Sequence, residues 1–365
     1  MEIPVELTNI VEEIAAQVNI SELKKSASEV HMKYNEAKDG KSIVKSEKEV
    51  LSYAISRMPG TYAAVSMAAS AAFLKTDMKI KSLIDVGAGT GACSFAIGDI
   101  FDLKRVTLVE REENMIKVGK LLAEKSNDVL KCGTWIRADA CDFECETADL
   151  VTASYVMNEL NDKTKTLFLK KLWDESEKYI LIVEPGSKEG FKNITMARDF
   201  YLSLGGTILA PCKHNMKCDL GDDDWCHFSC RISRTKLQKY VKAGDAPFED
   251  EKYMYIAISK ENIGVPNNEA NMQNEERGIQ KNKSGAESES GVAKNEYDMK
   301  ESEPGVAKTK SDIRENGRVI RHPNIQKGFI ALKLCTVNGT REVKITGKDK
   351  ERFKAAKKVK WGEEF

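Results

Sequence analysis

The sequence contains little histidine, no excess of either charge and no long apolar run. Four of its 365 residues are histidine, and Lys plus Arg equal Asp plus Glu at 57 each. Because nucleic-acid-binding chains often carry an excess of basic residues, this balanced total gives no sign of such a partner. No stretch approaches the roughly twenty apolar residues that a transmembrane helix needs, so we expect no membrane partner.

The first twenty residues also lack the marks of a targeting segment. They contain four glutamates and no Lys or Arg, which is the opposite of a mitochondrial presequence, and no apolar run suited to a signal peptide. We therefore expect a cytoplasmic protein, in which thiols stay reduced. Disulfides are accordingly disfavoured, and the count of nine cysteines is odd.

The pattern of apolar residues divides the chain into four predicted regions. The first is predicted to be helical, and the second is predicted to be an α/β region. Residues 1–80 show helical spacing, and Pro59 and Gly60 are expected to end one helix before an alanine-rich helix begins. Residues 81–260 contain short apolar runs that alternate with amphipathic segments. Such alternation is typical of a Rossmann-like α/β fold, in which helices cover both faces of a mainly parallel sheet.

The last two regions differ in composition from the α/β region. Residues 261–318 are rich in Glu, Lys, Asn, Ser and Gly. Their small apolar surface does not offset the entropy of ordering, so we predict a disordered insertion between two strands. Residues 319–365 are expected to supply the last strands of the sheet, with a hairpin predicted at Asn338-Gly339. From Lys327 onward, eleven Lys or Arg stand against five Asp or Glu, which makes a basic tail.

A glycine-rich turn follows the first apolar run of the α/β region, in "LIDVGAGTGACSFAIG". Gly87, Gly89 and Gly91 allow the backbone to turn sharply between a strand and a helix and to approach a ligand closely. The pattern satisfies the dinucleotide-binding fingerprint, with alanine in the last place. It also resembles the first motif of class I S-adenosylmethionine-dependent methyltransferases, so two ligand classes fit.

Two carboxylates, Asp85 and Asp139, favour S-adenosylmethionine over a dinucleotide, and a third, Glu110, suits either ligand. Asp85 suits the amino-acid end of S-adenosylmethionine and would repel a pyrophosphate. Glu110 ends the next strand, where a carboxylate can bind both hydroxyls of a ribose, and Asp139 takes the place of the adenine contact in these enzymes. The stretch "TASYVMNELND" lacks the Asn/Asp-Pro-Pro-aromatic motif of enzymes that methylate base amino groups. We therefore predict a class I methyltransferase fold and its cofactor, and we assign no catalytic residue.

Four of the nine cysteines lie in "CKHNMKCDLGDDDWCHFSC", within a predicted loop at residues 207–230. A metal site, a disulfide knot and an accident of composition are the three interpretations, and a reducing compartment disfavours the second. The spacing Cys-x5-Cys-x7-Cys-x3-Cys lacks the C-x2–4-C knuckles of tetrahedral zinc sites. Longer, irregular spacings suit a loop around a larger object, such as an iron–sulfur cluster held by four thiolates.

The spacing leaves the fourth ligand open. Cys230 is the nearest candidate, and Cys335 is a distant one at the end of the strand "GFIALKLC". His214 and His227 are further options, and zinc is the alternative metal.

Several motifs along the chain together resemble a known family. They are "RMPGTYAA" at Arg57, the glycine loop at Gly87, "DWCHFS" at Asp224, "FEDEKYMYI" at Phe248, "RVIRHP" at Arg318, the strand that ends in Cys335, and "WG" at Trp361. In this order they are similar to the methyltransferase-like assembly factors of the small ribosomal subunit, which include a mitochondrial protein and bacterial and archaeal members. The resemblance covers nearly the whole chain apart from the insertion and the first fifty residues.

The resemblance implies a set of ligands for the cysteine loop. In that family three cysteines of this loop and one near the C-terminus bind a [4Fe-4S] cluster. Carried over, the ligands are Cys212, Cys218, Cys226 and Cys335, and Cys230 is a bystander. The family often has proline after the first two cysteines, whereas this chain has Lys213 and Asp219, which changes the stiffness of the loop but removes no ligand.

The resemblance also implies a function. We expect a factor that binds S-adenosylmethionine and a cluster, and that contacts the small ribosomal subunit and its rRNA as a monomer off the ribosome. Arg231, Arg234 and the basic tail are the expected phosphate contacts. The alternatives are an active methyltransferase for RNA or a ribosomal protein, and a sensor of redox state or iron that uses the cluster to switch binding.

Overall fold

A computed structural model describes residues 3–36, 44, 46–74, 78–126, 128–220, 223–261 and 316–365. The predicted disordered insertion therefore lies outside the described residues, apart from its two ends. Within the described part of the chain, no helix is both long and apolar enough to cross a membrane.

The helices lie mainly in the first two thirds of the chain. They are α1 (Val5–Ala15), α2 (Ile20–Glu36), α3 (Glu47–Phe73), α4 (Ala92–Gly98), α5 (Glu113–Glu124), α6 (Asp128–Lys131), α7 (Asp162–Glu175), α8 (Lys188–Ser203), α9 (Lys236–Val241) and α10 (Lys350–Ala356). A short 3₁₀ turn, Met157–Glu159, follows the fourth strand.

The strands form two sheets. They are β1 (Ser82–Val86), β2 (Arg105–Glu110), β3 (Thr134–Arg137), β4 (Ala148–Ser154), β5 (Ser176–Pro185), β6 (Thr207–Ala210), β7 (Phe228–Ser233), β8 (Phe248–Ser259), β9 (Gly317–Val319), β10 (Asn324–Gln326), β11 (Phe329–Thr336) and β12 (Gly339–Thr346). The first eight strands make the main sheet and the last four make a smaller one, called the C-terminal sheet below.

The main sheet has the order β3-β2-β1-β4-β5-β8-β6, and β7 pairs with β8. Strands β1 to β5 are parallel, whereas β8 runs antiparallel to β5, β6 and β7. Because the order reverses between β1 and β4, their carboxyl ends form the crevice in which such sheets bind ligands. The α/β region and its mainly parallel sheet are confirmed.

The helix that begins at Glu47 does not stop where the sequence predicts. Helix α3 continues through Pro59 to Phe73, so the predicted end at Pro59 and Gly60 is wrong. Ser46 caps its start, because the side chain accepts a hydrogen bond from the Glu49 amide. Both halves of α3 bury apolar residues in the same core, and this packing outweighs the backbone hydrogen bond that proline removes.

The C-terminal sheet has its own small core, formed around Ile330, Leu332 and Leu334. Thr336 pairs with Gly339, which closes the β11–β12 hairpin and confirms the predicted turn. Residues 362–365 run beside β9, where the Gly317 amide donates to the Phe365 carbonyl at 3.0 Å. The second sheet therefore holds the last described residues of the chain in place.

Candidate functional site

The glycine loop lies at the carboxyl end of β1, in the crevice beside β4. The amides of Gly87 and Ala88 donate to the Val109 carbonyl at 2.9 and 3.0 Å, which fixes the loop against the end of β2. Gly87, Gly89 and Gly91 have φ values of 71°, 57° and 91°, in the left-handed region that favours glycine. The structure therefore brings the three predicted glycines together in a sharp turn.

Asp85 is turned into the protein instead of towards the crevice. It is 1% exposed, and it accepts hydrogen bonds from the Ser94 amide (3.1 Å) and hydroxyl (2.8 Å) and from the Thr152 hydroxyl (3.1 Å). Burial raises the pKa of the Asp85 carboxyl. These contacts position the glycine loop and the first turn of α4, and direct contact with a cofactor stays a prediction.

Glu110 lies beside the glycine loop, as the sequence predicts. Its carboxylate accepts hydrogen bonds from the amides of Gly89 and Glu112, both at 2.8 Å, and burial raises its pKa. Each carboxylate oxygen has a second lone pair, so both can still accept a bond from a ribose hydroxyl. Asp139 is exposed after β3 and accepts from the Cys141 amide at 2.9 Å. Both residues thus stand at the ends of neighbouring strands.

The segment after β4 contains groups that the sequence did not single out. Tyr155 has a φ of 63°, which is strained for a bulky side chain, and its hydroxyl donates to Glu251 at 2.8 Å. Burial and then the Glu251 charge raise the pKa of Tyr155, so the phenol stays protonated. The next residue, Val156, packs on Gly87, because a Cβ on that glycine would lie 2.4 Å from Val156 Cγ2. The positive φ of Tyr155 is a property of the folded backbone, so the sequence alone does not predict it.

Glu184 on β5 fixes the position of this segment by hydrogen bonds. Its carboxylate is fully buried and accepts from the Met157 amide at 2.9 Å and from the Asn193 side-chain amide at 3.3 Å. Burial raises the pKa of Glu184 to about 7, and the two hydrogen bonds oppose part of that rise. The position of the crevice wall therefore depends on a carboxyl group that titrates close to neutral pH.

We expect Glu184→Gln to reduce the loss of stability between pH 5 and pH 8. The unfolded carboxyl ionises near 4.5 and the folded one near 7, so the unfolded chain loses this proton first and stability falls as pH rises through that window. The difference corresponds to at most about 3 kcal/mol. Urea denaturation at both pH values measures it.

Glu124→Gln is the matched control, because Glu124 is exposed on α5. The control is expected to keep the pH slope of the wild-type protein. If Glu184→Gln also keeps that slope, the assignment of the titrating group to Glu184 is wrong.

The four cysteines that the family resemblance selects meet where the loop after β6 contacts the C-terminal sheet. The Cys212 thiol donates a hydrogen bond to Cys335, which lowers the pKa of Cys335 well below its ordinary value and raises that of Cys212. Burial raises the pKa of Cys218 and Cys226, and the charge on Cys335 raises both further. Three cysteines of one loop therefore face one cysteine of another sheet.

The other candidate ligands lie differently. Cys230 is on β7, and its thiol donates to the Glu251 carbonyl at 3.8 Å. His227 packs between Trp225 and Trp361, with ring centroids 5.6 and 4.7 Å away. His214 is buried, and its hydrogen bond to Cys335 contributes to the low pKa of that thiol. Of these three residues, His214 thus stands beside the four cysteines.

Three arginines that could not be predicted from the sequence hold backbone carbonyls of the cysteine loop. Arg318 Nε donates to the Pro211 carbonyl at 2.9 Å. Arg198 donates to the carbonyls of His214, at 3.3 Å, and Met216. Arg321 donates to the carbonyl of Trp225 at 2.9 Å and pairs with Asp224. The motif "RVIRHP" contains two of these arginines. The sequence alone does not show that this motif lies beside the cysteine loop.

Side-chain contacts also join the loop to the C-terminal sheet. The Thr340 amide of the hairpin donates to Asp219 at 2.8 Å, and Lys333 on β11 pairs with Asp224 at 2.6 Å. Lys213 pairs with Glu364 at 2.5 Å. The residues that replace the family's prolines, Lys213 and Asp219, therefore anchor the loop by side-chain bonds.

Among the residues that the structure describes, no group of three or more His, Cys, Asp or Glu side chains is arranged to hold a single metal ion. A four-iron cluster takes one thiolate at each of four irons, so its ligands stand farther apart than those of one ion. The metal ligands predicted from the sequence stay a prediction.

An apolar cavity lies between α1, α3 and α9, and its lining residue Met58 accepts a hydrogen bond from the Thr90 hydroxyl of the glycine loop at 3.8 Å. Its lining includes Leu7, Val11, Ile55, Met58 and Leu237. The crevice at the glycine loop is therefore assigned by the strand order and by the contacts of its residues.

The strand order, with an antiparallel β8 between β5 and β6 and a glycine loop after β1, defines the class I methyltransferase-like fold. The structure is similar to a putative RNA methyltransferase from Pyrococcus horikoshii, at 16% identity over 56% of this chain and 87% of that chain (TM-score 0.38). It is also similar to magnesium protoporphyrin IX methyltransferase from Synechocystis with bound S-adenosylmethionine, at 13% identity over 61% of this chain and 87% of that chain (TM-score 0.36).

The family is identified from the sequence. The protein-family model described as "Mitochondrial small ribosomal subunit Rsm22" matches residues 47–365, so the chain belongs to the Rsm22 family. The human mitochondrial ribosome assembly protein METTL17 is 26% identical over 195 residues, which are 49% of this chain and 43% of the human protein. The match thus spans less than half of that relative. The predicted family resemblance is confirmed.

Proposed function

We propose that this protein is a methyltransferase-like factor that binds S-adenosylmethionine and a [4Fe-4S] cluster, and that binds the small ribosomal subunit and its rRNA to support assembly or translation. The observation that carries the proposal is the meeting of Cys212, Cys218 and Cys226 with Cys335 of the C-terminal sheet. Family membership supports the ribosomal partner. A monomeric state off the ribosome and a cytoplasmic location belong to the same proposal.

The cluster would be held by these four thiols. Arg198, Arg318 and Arg321 hold carbonyls of the cysteine loop, and His214 bonds to Cys335, so positive charge lies near the thiols that would bind an anionic cluster. When bound, the cluster supplies four metal–thiolate bonds and one redox-active centre. The thiols themselves would join the loop to β11 and so fix the C-terminal sheet on the main sheet. Zinc is the alternative occupant, and measurement of iron, sulfide and zinc separates the two.

The crevice at the glycine loop suits a cationic cofactor. Burial raises the pKa of Glu110. Much of the Glu159 side chain is exposed, yet desolvation of its carboxylate and the charge of Glu110 raise its pKa, so the two carboxylates are neighbours. S-adenosylmethionine carries a positive sulfonium, which two carboxylates attract. A dinucleotide carries a negative pyrophosphate, which they would repel. Glu110 would bind the ribose, and Asp139 would lie beside the adenine.

The RNA surface would be the basic face of the C-terminal sheet and α10. Seven exposed lysines there form no ion pair within the described residues: Lys344, Lys348, Lys350, Lys354, Lys357, Lys358 and Lys360. Lysines without a carboxylate partner can neutralise phosphates and release counterions. The neutral total charge of the chain therefore hides a local basic surface.

Replacement of Lys354, Lys358 and Lys360 by glutamine tests this surface. Each lost phosphate contact with single-stranded RNA is expected to reduce the salt dependence of log K by about 0.7, and affinity at low salt falls accordingly. Filter binding of small-subunit rRNA over a series of salt concentrations gives both quantities.

The control is a triple variant with the same change of charge outside this surface, Lys104, Lys170 and Lys192 to glutamine. It is expected to keep the wild-type salt slope. Equal slopes in the two triple variants would refute the assignment of RNA binding to the basic face.

A second candidate is an active methyltransferase, favoured by the strained Tyr155 and its bond to Glu251 at the switch point of the sheet. A neutral nitrogen acceptor needs mainly positioning beside the methyl group. Labelled S-adenosylmethionine with immature small subunits tests this function. Labelled RNA or protein supports it, and absence of label in both rejects it.

A further inference from the structure

Arg198 carries a charge that is almost fully buried beside the cysteine loop. The residue is 3% exposed, and its guanidinium donates to the carbonyls of His214 and Met216, which lie between the first two loop cysteines. Its ion pair within the described residues is with Asp199, whose side chain is 54% exposed, and the Arg198 Nε has no hydrogen-bond partner. A buried cation with a solvated partner and an unused donor requires a further source of negative charge.

Two more arginines hold backbone carbonyls beside the other cysteines. Arg318 is 3% exposed and holds the carbonyl before Cys212, and its pair with Glu364 is long, at 3.4 Å. Arg321 holds the carbonyl before Cys226 and also pairs with Asp224. All three guanidiniums therefore approach the same group of thiols from different elements, α8, β9 and the turn after β9.

We propose that Arg198, together with Arg318 and Arg321, is the counter-charge of the cluster and raises its reduction potential. This inference depends on the proposed cluster. A [4Fe-4S] centre with four thiolates is a dianion, and one electron from an external reductant makes it a trianion without breaking a bond. Buried cations stabilise the trianion more than the dianion, so they favour reduction. The arginines therefore act on the cluster by charge, in addition to holding the loop in shape.

Redox titration of the purified holoprotein with Arg198→Gln tests the inference. The equilibrium constant for one-electron reduction is expected to fall at least about tenfold, which is 59 mV. Arg198→Lys keeps the charge and loses the two-carbonyl geometry, and it is expected to stay near the wild-type potential. Arg137→Gln removes an arginine that is 63% exposed on β3, and it is expected to change the potential little.

Arg321→Gln is the second variant, for use if Arg198→Gln does not fold. Its guanidinium is 26% exposed, so a smaller shift in the same direction is expected. If the wild type and both glutamine variants share one potential within the range of Arg137→Gln, the counter-charge role is refuted while the cluster stands. If the wild-type protein contains no iron and sulfide, the cluster and the inference fail together.

Discussion

Cys335→Ser is expected to remove nearly all of the cluster, from about four irons and four sulfides per chain to close to none. A serine hydroxyl is a poor ligand for iron, and Cys335 is the one proposed ligand that comes from the C-terminal sheet. Iron and sulfide assays and the visible absorption spectrum of anaerobically purified protein measure the loss. Cys230→Ser is the matched control, since this thiol lies on β7 with its hydrogen bond to Glu251. The control is expected to keep the full cluster.

The cluster-free protein is also expected to bind small-subunit rRNA less tightly, because the basic face would no longer be fixed on the main sheet. The hydrogen bonds and ion pairs of the loop remain, so the C-terminal sheet loosens without unfolding. Faster proteolysis within the C-terminal sheet, with an intact main sheet, would show this directly. Loss of iron from Cys230→Ser instead of Cys335→Ser would reassign the fourth ligand. A Cys226→Ser protein without cluster that binds immature small subunits as the wild type does would disprove the link to RNA.

Gly87→Ala is expected to destabilise the protein by about 2 to 5 kcal/mol and to weaken S-adenosylmethionine binding by at least about tenfold. A Cβ at a φ of 71° costs about 1 to 2 kcal/mol, and the approach to Val156 Cγ2 at 2.4 Å adds about 1 to 3 kcal/mol. Relief of that clash requires Val156 to move, and this residue forms part of the crevice wall. Urea denaturation and isothermal titration calorimetry measure the two effects.

Gly205→Ala is a control with the same type of backbone strain. Gly205 has a φ of 85° after α8, and a Cβ there would have no neighbour within 4 Å. Only the conformational cost is expected, with wild-type affinity for the cofactor. If Gly87→Ala is no more harmful than Gly205→Ala, then Val156 yields easily and the crevice is not tightly packed. Unchanged cofactor binding in Gly87→Ala would show that the ligand lies elsewhere.

The sequence predicts the α/β region because short apolar runs and amphipathic helices alternate with a regular period. The sequence-based prediction is wrong at Pro59. The preference of proline to end a helix can be read from the sequence, whereas the burial of both halves of α3 cannot. The sequence also predicts that residues 319–365 supply the last strands of the sheet, whereas they form a sheet of their own. Strand partners depend on contacts distant along the chain, so the separate C-terminal sheet had to come from the structure.

The candidate site divides in the same way. The glycines and Glu110 could be predicted because their roles depend on a local motif at the ends of consecutive strands. Arg198 and Glu184 could not, because each lies within an ordinary amphipathic or apolar pattern, and burial next to the site gives it its role. The strain at Tyr155 is likewise a property of the folded backbone.

The division of the proposed ligands between the loop and β11 has a consequence for the order of biosynthesis. A translating ribosome makes Cys212, Cys218 and Cys226 first, and Cys335 follows after about 5 to 20 seconds at ordinary elongation rates. During that interval the nascent chain offers three thiols without the fourth. Complete cluster insertion therefore has to follow release of the β11 segment from the exit tunnel, so a filled site shows that this segment has been made and has emerged.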